Sequence, residues 1–256
     1  MNILANLLLG RLSRTRHVAN NICRVILFAV LCCCMVTGRA RAQQPEDPED
    51  DKKLGLWLDQ GISSDLTPSK SMEIEFYERY DEAISNFYEY FVQAGIAFRV
   101  RPWLTVTPLY RYQRFPGNPT VAYENRLLLN VTMATSRGAW RPNLRIMIEG
   151  RLPDNRPASA RFRFRPGVDY TLPLRVKRRP ALVVSNEFFV VPGTNSFAAG
   201  GSFTQNRFQV GVRLPISDSF SIRPYYLLQS VNLPAGWETN EIIGISMAIK
   251  VRNKTK

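Results

Sequence analysis

The chain has 256 residues and a formal net charge of +13, from 34 Lys and Arg against 21 Asp and Glu. Its single His (His17) and its four Cys (Cys23, Cys32, Cys33, Cys34) all fall within the first 34 residues. Everything beyond Cys34 is therefore closed to disulfides, to Cys/His metal sites and to nucleophiles that rely on an imidazole base.

The N-terminal stretch reads as an export signal. Residues 1–42 hold six arginines and no acid, followed by the apolar run Val25–Val36 and then Ala40-Arg41-Ala42, small residues at the spacing a signal peptidase reads. The apolar run is too short for a spanning helix, which needs about 20 residues. Cleavage after Ala42 removes every Cys and His and lowers the net charge to +7. Residues 43–53 (QQPEDPEDDKK) are acidic, contain proline and lack apolar periodicity, as expected of a disordered leader. Residues 54–63 are apolar enough for a strand that lines a wall, plugs a lumen or belongs to a larger strand count.

From Ser71 a period of two takes over. Met72, Ile74 and Phe76 alternate with Glu73, Glu75 and Tyr77; Val92, Ala94 and Ile96 alternate with Phe91, Gln93 and Gly95. The pattern continues near 104–112, 123–135, 142–152, 159–172, 180–191, 205–214, 219–229 and 239–251. Side chains two apart in a strand share a face, so each segment shows one apolar face and one carrying Glu, Asn and Arg. Mid-strand Gly95, Pro108, Gly150, Pro166, Gly211 and Pro224 suit bends in a curved wall.

Connections near 100–103, 136–141, 173–179 and 215–218 read as short or basic. Those near 81–86, 113–122, 153–158, 192–204 and 230–238 read as surface loops. This alternation matches periplasmic turns and longer outer loops. The expected fold is all-β: one antiparallel transmembrane β-barrel over 54–251, of about ten strands with twelve as the alternative, ending in a basic tail at 252–256. Aromatics at strand ends, among them Trp57, Tyr77, Tyr80, Tyr90, Trp103, Tyr112, Trp140, Tyr170, Tyr225 and Trp237, fit interfacial girdles.

An ordered series of residues carries a family resemblance: Arg101-Pro102-Trp103-Leu104, Tyr110-Arg111-Tyr112, Glu124-Asn125-Arg126, Arg161–Pro166, Asn186-Glu187-Phe188-Phe189, Asn206-Arg207-Phe208 and Tyr225–Gln229. Together they resemble the DUF2490 group of bacterial outer-membrane β-barrel proteins over most of the chain. The resemblance implies a barrel in the outer membrane and brings no established activity. Barrels of this kind usually finish on an aromatic residue, whereas here Val251 is followed by Arg-Asn-Lys-Thr-Lys.

With apolar faces toward lipid, the lumen is expected to receive Glu73, Glu75, Glu89, Arg111, Glu124, Arg126, Arg145, Glu149, Arg151, Arg161, Arg163, Arg165, Glu187, Arg207, Arg213 and Arg223. Mixed signs on a common face predict Glu–Arg pairing, and about ten strands predict a narrow lumen. The partner is then outer-membrane lipid and the role structural; the alternative is an anion-selective pore or small-ligand transport barrel, with small anionic solutes drawn by the Arg surplus near 161–165. A third reading is a soluble secreted β-sandwich or calyx that binds a ligand. No catalytic set, cofactor or metal is expected, and no nucleic acid, because the basic run Arg175–Arg179 falls in a turn of an exported chain.

Overall fold

Period-two segments separated by short connections can bury one face only by pairing edge to edge, and closing the sheet on itself removes both remaining edges. The computed structural model describes residues 54–81, 84–192, 203–233 and 236–251. The expected signal segment 1–42, the expected leader 43–53 and the expected tail 252–256 lie outside the described residues.

Eleven strands form the wall: β1 (Gly55–Thr67), β2 (Lys70–Asp81), β3 (Asn86–Arg101), β4 (Leu104–Arg114), β5 (Tyr123–Ala134), β6 (Trp140–Pro153), β7 (Ser159–Thr171), β8 (Ala181–Val190), β9 (Phe203–Pro215), β10 (Phe220–Leu233) and β11 (Gly236–Val251). Each pairs with its sequence neighbours, and β1 closes the ring against β11. The strands have 10 to 16 residues, enough for a tilted strand to cross a bilayer, which takes about 9–11.

The strand count is neither ten nor twelve. The additional strand is β1, which lies in the wall and does not plug the lumen. Its pattern is blurred because Trp57 faces inward at 4 % exposure while Gln60 falls on the opposite parity among Leu56, Leu58 and Ile62. An odd number of alternating strands sends the first and last in the same direction. The seam is accordingly parallel, running from Gly55↔Ile242 to Ser64↔Val251, and every other pairing is antiparallel.

One end of the barrel, here the turn end, carries connections 68–69, 102–103, 135–139, 172–180 and 216–219; at the other, the loop end, lie the described residues 84–85, 115–122, 154–158 and 191–192. The expected rhythm of short and long connections is not strict. Residues 230–238 are no long loop: β10 and β11 stay paired as far as Leu233↔Gly236.

Proline shapes the wall where it sits. It lacks the N–H that a ladder needs, and the β7–β8 register passes from Phe164↔Phe188 to Gly167↔Ser185, skipping Arg165 and Pro166. Likewise β9–β10 skips Arg223 and Pro224, between Ile222↔Leu214 and Tyr225↔Gly211.

The outer face is apolar along its middle. Val92, Ile96, Leu127, Leu129, Ile148, Phe162, Phe164, Ile243 and Ile245 all stand exposed there, Leu127 at 62 %. Aromatic pairs flank this zone. Toward the loop end lie Tyr80–Phe87 (5.1 Å between ring centres), Phe87–Tyr90 (5.7 Å), Tyr112–Tyr123 (6.1 Å) and Phe203–Trp237 (5.2 Å); toward the turn end lie Trp140–Tyr170 (4.4 Å) and Trp103. Trp57, Tyr77 and Tyr225 do not belong with them, since all three line the interior cavity.

Candidate functional site

The interior is where this fold concentrates its chemistry, because alternation turns every second side chain toward it and many of those are charged. Four adjacent strands build one continuous ladder. Glu124 on β5 accepts hydrogen bonds from Arg126 Nε (2.8 Å) and from Arg151 Nε (2.7 Å) and Nη2 (2.9 Å). Glu149 on β6 is fully buried and binds Arg161 Nη2 at 2.5 Å and Arg163 Nη1 at 2.8 Å, with Arg126 Nη1 at 3.7 Å. Glu187 on β8 takes Arg163 Nη2 at 2.8 Å and Arg145 Nη2 at 2.9 Å. Each carboxylate is thus shared by two or three guanidiniums. Arg suits this role because its planar fork presents several donors in fixed directions.

A second network spans the seam. Asp59 on β1 binds Arg79 Nη1 at 2.7 Å and accepts a hydrogen bond from the Tyr225 hydroxyl at 2.8 Å. Tyr225 reaches Asp59 from β10 by lying across β11. A Cβ at Gly244 would overlap the Tyr225 ring, and one at Gly211 would stand 2.7 Å from the Tyr225 Cβ. Glycine at those two positions is what lets the ring lie flat. The Arg79 guanidinium stacks on Trp57, 4.3 Å from its centre. A third network links Glu75 to the Tyr77 hydroxyl and the Gln93 amide, and Gln93 Oε1 accepts from Arg111 Nε (2.9 Å) and Nη2 (2.6 Å).

Of the sixteen charged residues singled out from alternation, Glu124, Arg126, Arg145, Glu149, Arg151, Arg161, Arg163 and Glu187 form the ladder. Arg111 and Glu75 join through Gln93. Glu89 accepts a hydrogen bond from Gln113 at 2.5 Å. Arg213 pairs with Asp169 at 2.9 Å near the turn end, and Glu73 lines a cavity of about 450 Å³ there. Arg165, Arg207 and Arg223 line the main cavity, of about 490 Å³, without a carboxylate within ion-pair distance among the described residues.

Alternation alone passed over Asp59, Arg79 and Asp169, and over the inward aromatics Trp57, Phe91 and Phe189. Those rings carry guanidiniums: Arg111 lies 4.1 Å from the Phe91 centre, Arg163 4.7 Å from Phe189, and Arg207 4.6 Å from Trp57 and 4.8 Å from Phe189. A guanidinium over an aromatic face is attracted by the ring's quadrupole, and more so where water is excluded. The signal for Arg79 and Asp169 was present as parity, since they continue the series 73-75-77 and 161-163-165. Apolar side chains also enter the lumen, where Leu109, Leu128 and Met147 pack together. Among the described residues no group of three His, Cys, Asp or Glu is placed to hold a metal ion.

Fold and interior together define a class: an all-β, up-and-down closed barrel with an apolar outside and an ion-paired inside. Within that class the chain belongs to the family described as "Protein of unknown function (DUF2490)", whose model matches residues 54–240. No curated protein matches the chain. Among solved structures it is similar to the NanC porin (8% identity, 75% of this chain and 91% of that one, TM-score 0.49). It is also similar to LpxR from Salmonella typhimurium (8%, 74% and 86%, TM-score 0.48) and to the siderophore receptor PirA from Pseudomonas aeruginosa (14%, 69% and 35%, TM-score 0.33).

Proposed function

We propose that the chain is an integral outer-membrane β-barrel with a narrow, ion-paired lumen and a structural, non-catalytic role. The observation that carries this reading is the inverted distribution of polarity, with the Glu124–Glu149–Glu187 ladder inside and Leu127, Ile148, Phe164 and Ile245 exposed outside. A soluble calyx has the opposite need: its outer face must be wetted. Aromatic pairs near both ends of the apolar zone sit where amphipathic rings favour the headgroup region. Eleven strands lie nearer the eight whose interior side chains fill than the 16–18 that hold an aqueous channel. In the outer membrane the turn end faces the periplasm.

Export and fractionation test this. The protein is expected in the outer-membrane fraction, extracted only by detergent, and migrating differently on unboiled and boiled gels. Recovery in the soluble periplasm without detergent refutes the proposal. Planar-bilayer recordings are expected to show little or no conductance; a large, steady conductance would refute the narrow lumen.

A further inference from the structure

The ion-pair ladder leaves a remainder. Ten arginines and four carboxylates line the main cavity. Glu124 and Glu149, buried behind that lining, raise the acids to six, still four short of the arginines. Among the described residues Arg165, Arg207 and Arg223 have no carboxylate within ion-pair distance, and the Nε atoms of all three, together with that of Arg145, are buried without a hydrogen-bond partner. Arg145 and Arg165 are directly opposed across β6 and β7. Arg165 also feels the charges of Arg223 on β10 and of Arg163, two residues back on its own strand, with Glu187 as the acid of that group.

Buried cationic donors with no acceptor are costly, and like charges held together add to the cost. Arg165 and Arg223 each precede a proline at a break in the ladder, Pro166 and Pro224, so the bent wall itself holds them in place. Arg207 is held from the side, between the faces of Trp57 and Phe189. Fixed, partly desolvated guanidiniums with free N–H groups are the donor set that recognises an oxyanion. From this geometry we infer that Arg145, Arg165, Arg207 and Arg223 form a binding site, inside the lumen, for a small solute bearing a carboxylate or phosphate group.

The cavity of about 490 Å³ admits a metabolite-sized anion and no polymer. The wall keeps lipid headgroups out, so the ligand is a dissolved anion. This inference rests on the inward orientation of the charged faces and goes beyond the structural role proposed above.

The test uses the full barrel purified in a non-ionic detergent, at constant ionic strength held with chloride. Inorganic phosphate and acetate are titrated separately by calorimetry into the wild-type protein, Arg165→Gln and Arg223→Gln. Saturable binding of either anion is expected for wild type, weakened about tenfold or more in each variant, the equivalent of one charged hydrogen bond lost. Arg99→Gln, at an exposed arginine near the turn end, is expected to bind as wild type does. The unfolding midpoint supplies a second readout. Without the anion, Arg165→Gln is expected to be at least as heat-stable as wild type, because a repelled charge has gone. Adding the anion is expected to raise the wild-type midpoint and leave that of the variant in place. No saturable binding to wild type, unchanged binding in both variants, or a barrel that fails to form in Arg165→Gln overturns the inference. Each of those results leaves intact the membrane-barrel reading, which detergent dependence tests separately.

Discussion

Glu149→Gln is the substitution on which the ladder's energetics can be measured. The carboxylate is fully buried and shared by Arg161, Arg163 and Arg126. Neutralising it does not strand all three. Arg126 keeps Glu124 at 2.8 Å and Arg163 keeps Glu187 at 2.8 Å, whereas Arg161 loses the carboxylate it is paired with. Breaking a buried pair costs roughly 3–5 kcal/mol, and with one orphan in place of three the expected loss is about 3 kcal/mol. Glu149→Gln/Arg161→Gln removes the orphan and is expected to recover about 2 kcal/mol of that, since neighbouring charged sites are non-additive. Urea titration in detergent micelles, followed by the folded fraction on unboiled gels, gives the numbers. Exposed Glu238→Gln serves as the control, with an expected change within about 0.5 kcal/mol. A Glu149→Gln protein within about 1 kcal/mol of wild type, or a double variant no more stable than the single, would refute the reasoning.

Ile245→Arg, on the outer face, is expected to lose about 2–4 kcal/mol in a bilayer if it sits at mid-depth, and to lower the folded yield in lipid vesicles; an unchanged yield would mean that face meets water. Gly244→Ala forces the Tyr225 ring off β11, with an expected cost of about 1–3 kcal/mol in unfolding free energy by urea titration. Tyr225→Phe removes only the hydrogen bond to Asp59 and is expected to cost about 1 kcal/mol by the same measurement. Asp218→Asn, which breaks the exposed pair with Arg178 at 3.1 Å, is expected to change the unfolding free energy by less than about 1 kcal/mol, and the difference to vanish in high salt.

Ten of the eleven strands were legible as a period of two, because from β2 onward polar and apolar residues keep to their own faces. β1 was less so, as its inward positions are Trp57, Asp59, Gly61 and Ser63 and its other face includes Gln60. With β1 unassigned, Asp59 and the seam network around it were out of reach. The inward aromatics were hidden for a different reason. A ring at a strand end looks the same in sequence whether it meets lipid headgroups or a guanidinium, and only the partner across the lumen separates the two. Trp57, placed among the girdle residues by its position, in fact carries Arg79 and Arg207. The pairing itself was visible only as a balance of signs: alternation puts Glu149 on the inner parity, but the register across β5, β6 and β7 decides that Arg161 and Arg163 reach it.

The parallel seam separates the two extremities of the wall. β1 departs from the loop end at Gly55, and β11 finishes at the turn end at Val251. In a bilayer these points are presented to different aqueous compartments, so an epitope inserted just before Leu54 and one placed just after Val251 would be reached by antibody from opposite sides. The same geometry constrains circular permutation. A hairpin cannot join Val251 to Gly55; the linker has to traverse an apolar band about 25 Å tall, which at about 3.3 Å per extended residue takes at least about eight residues.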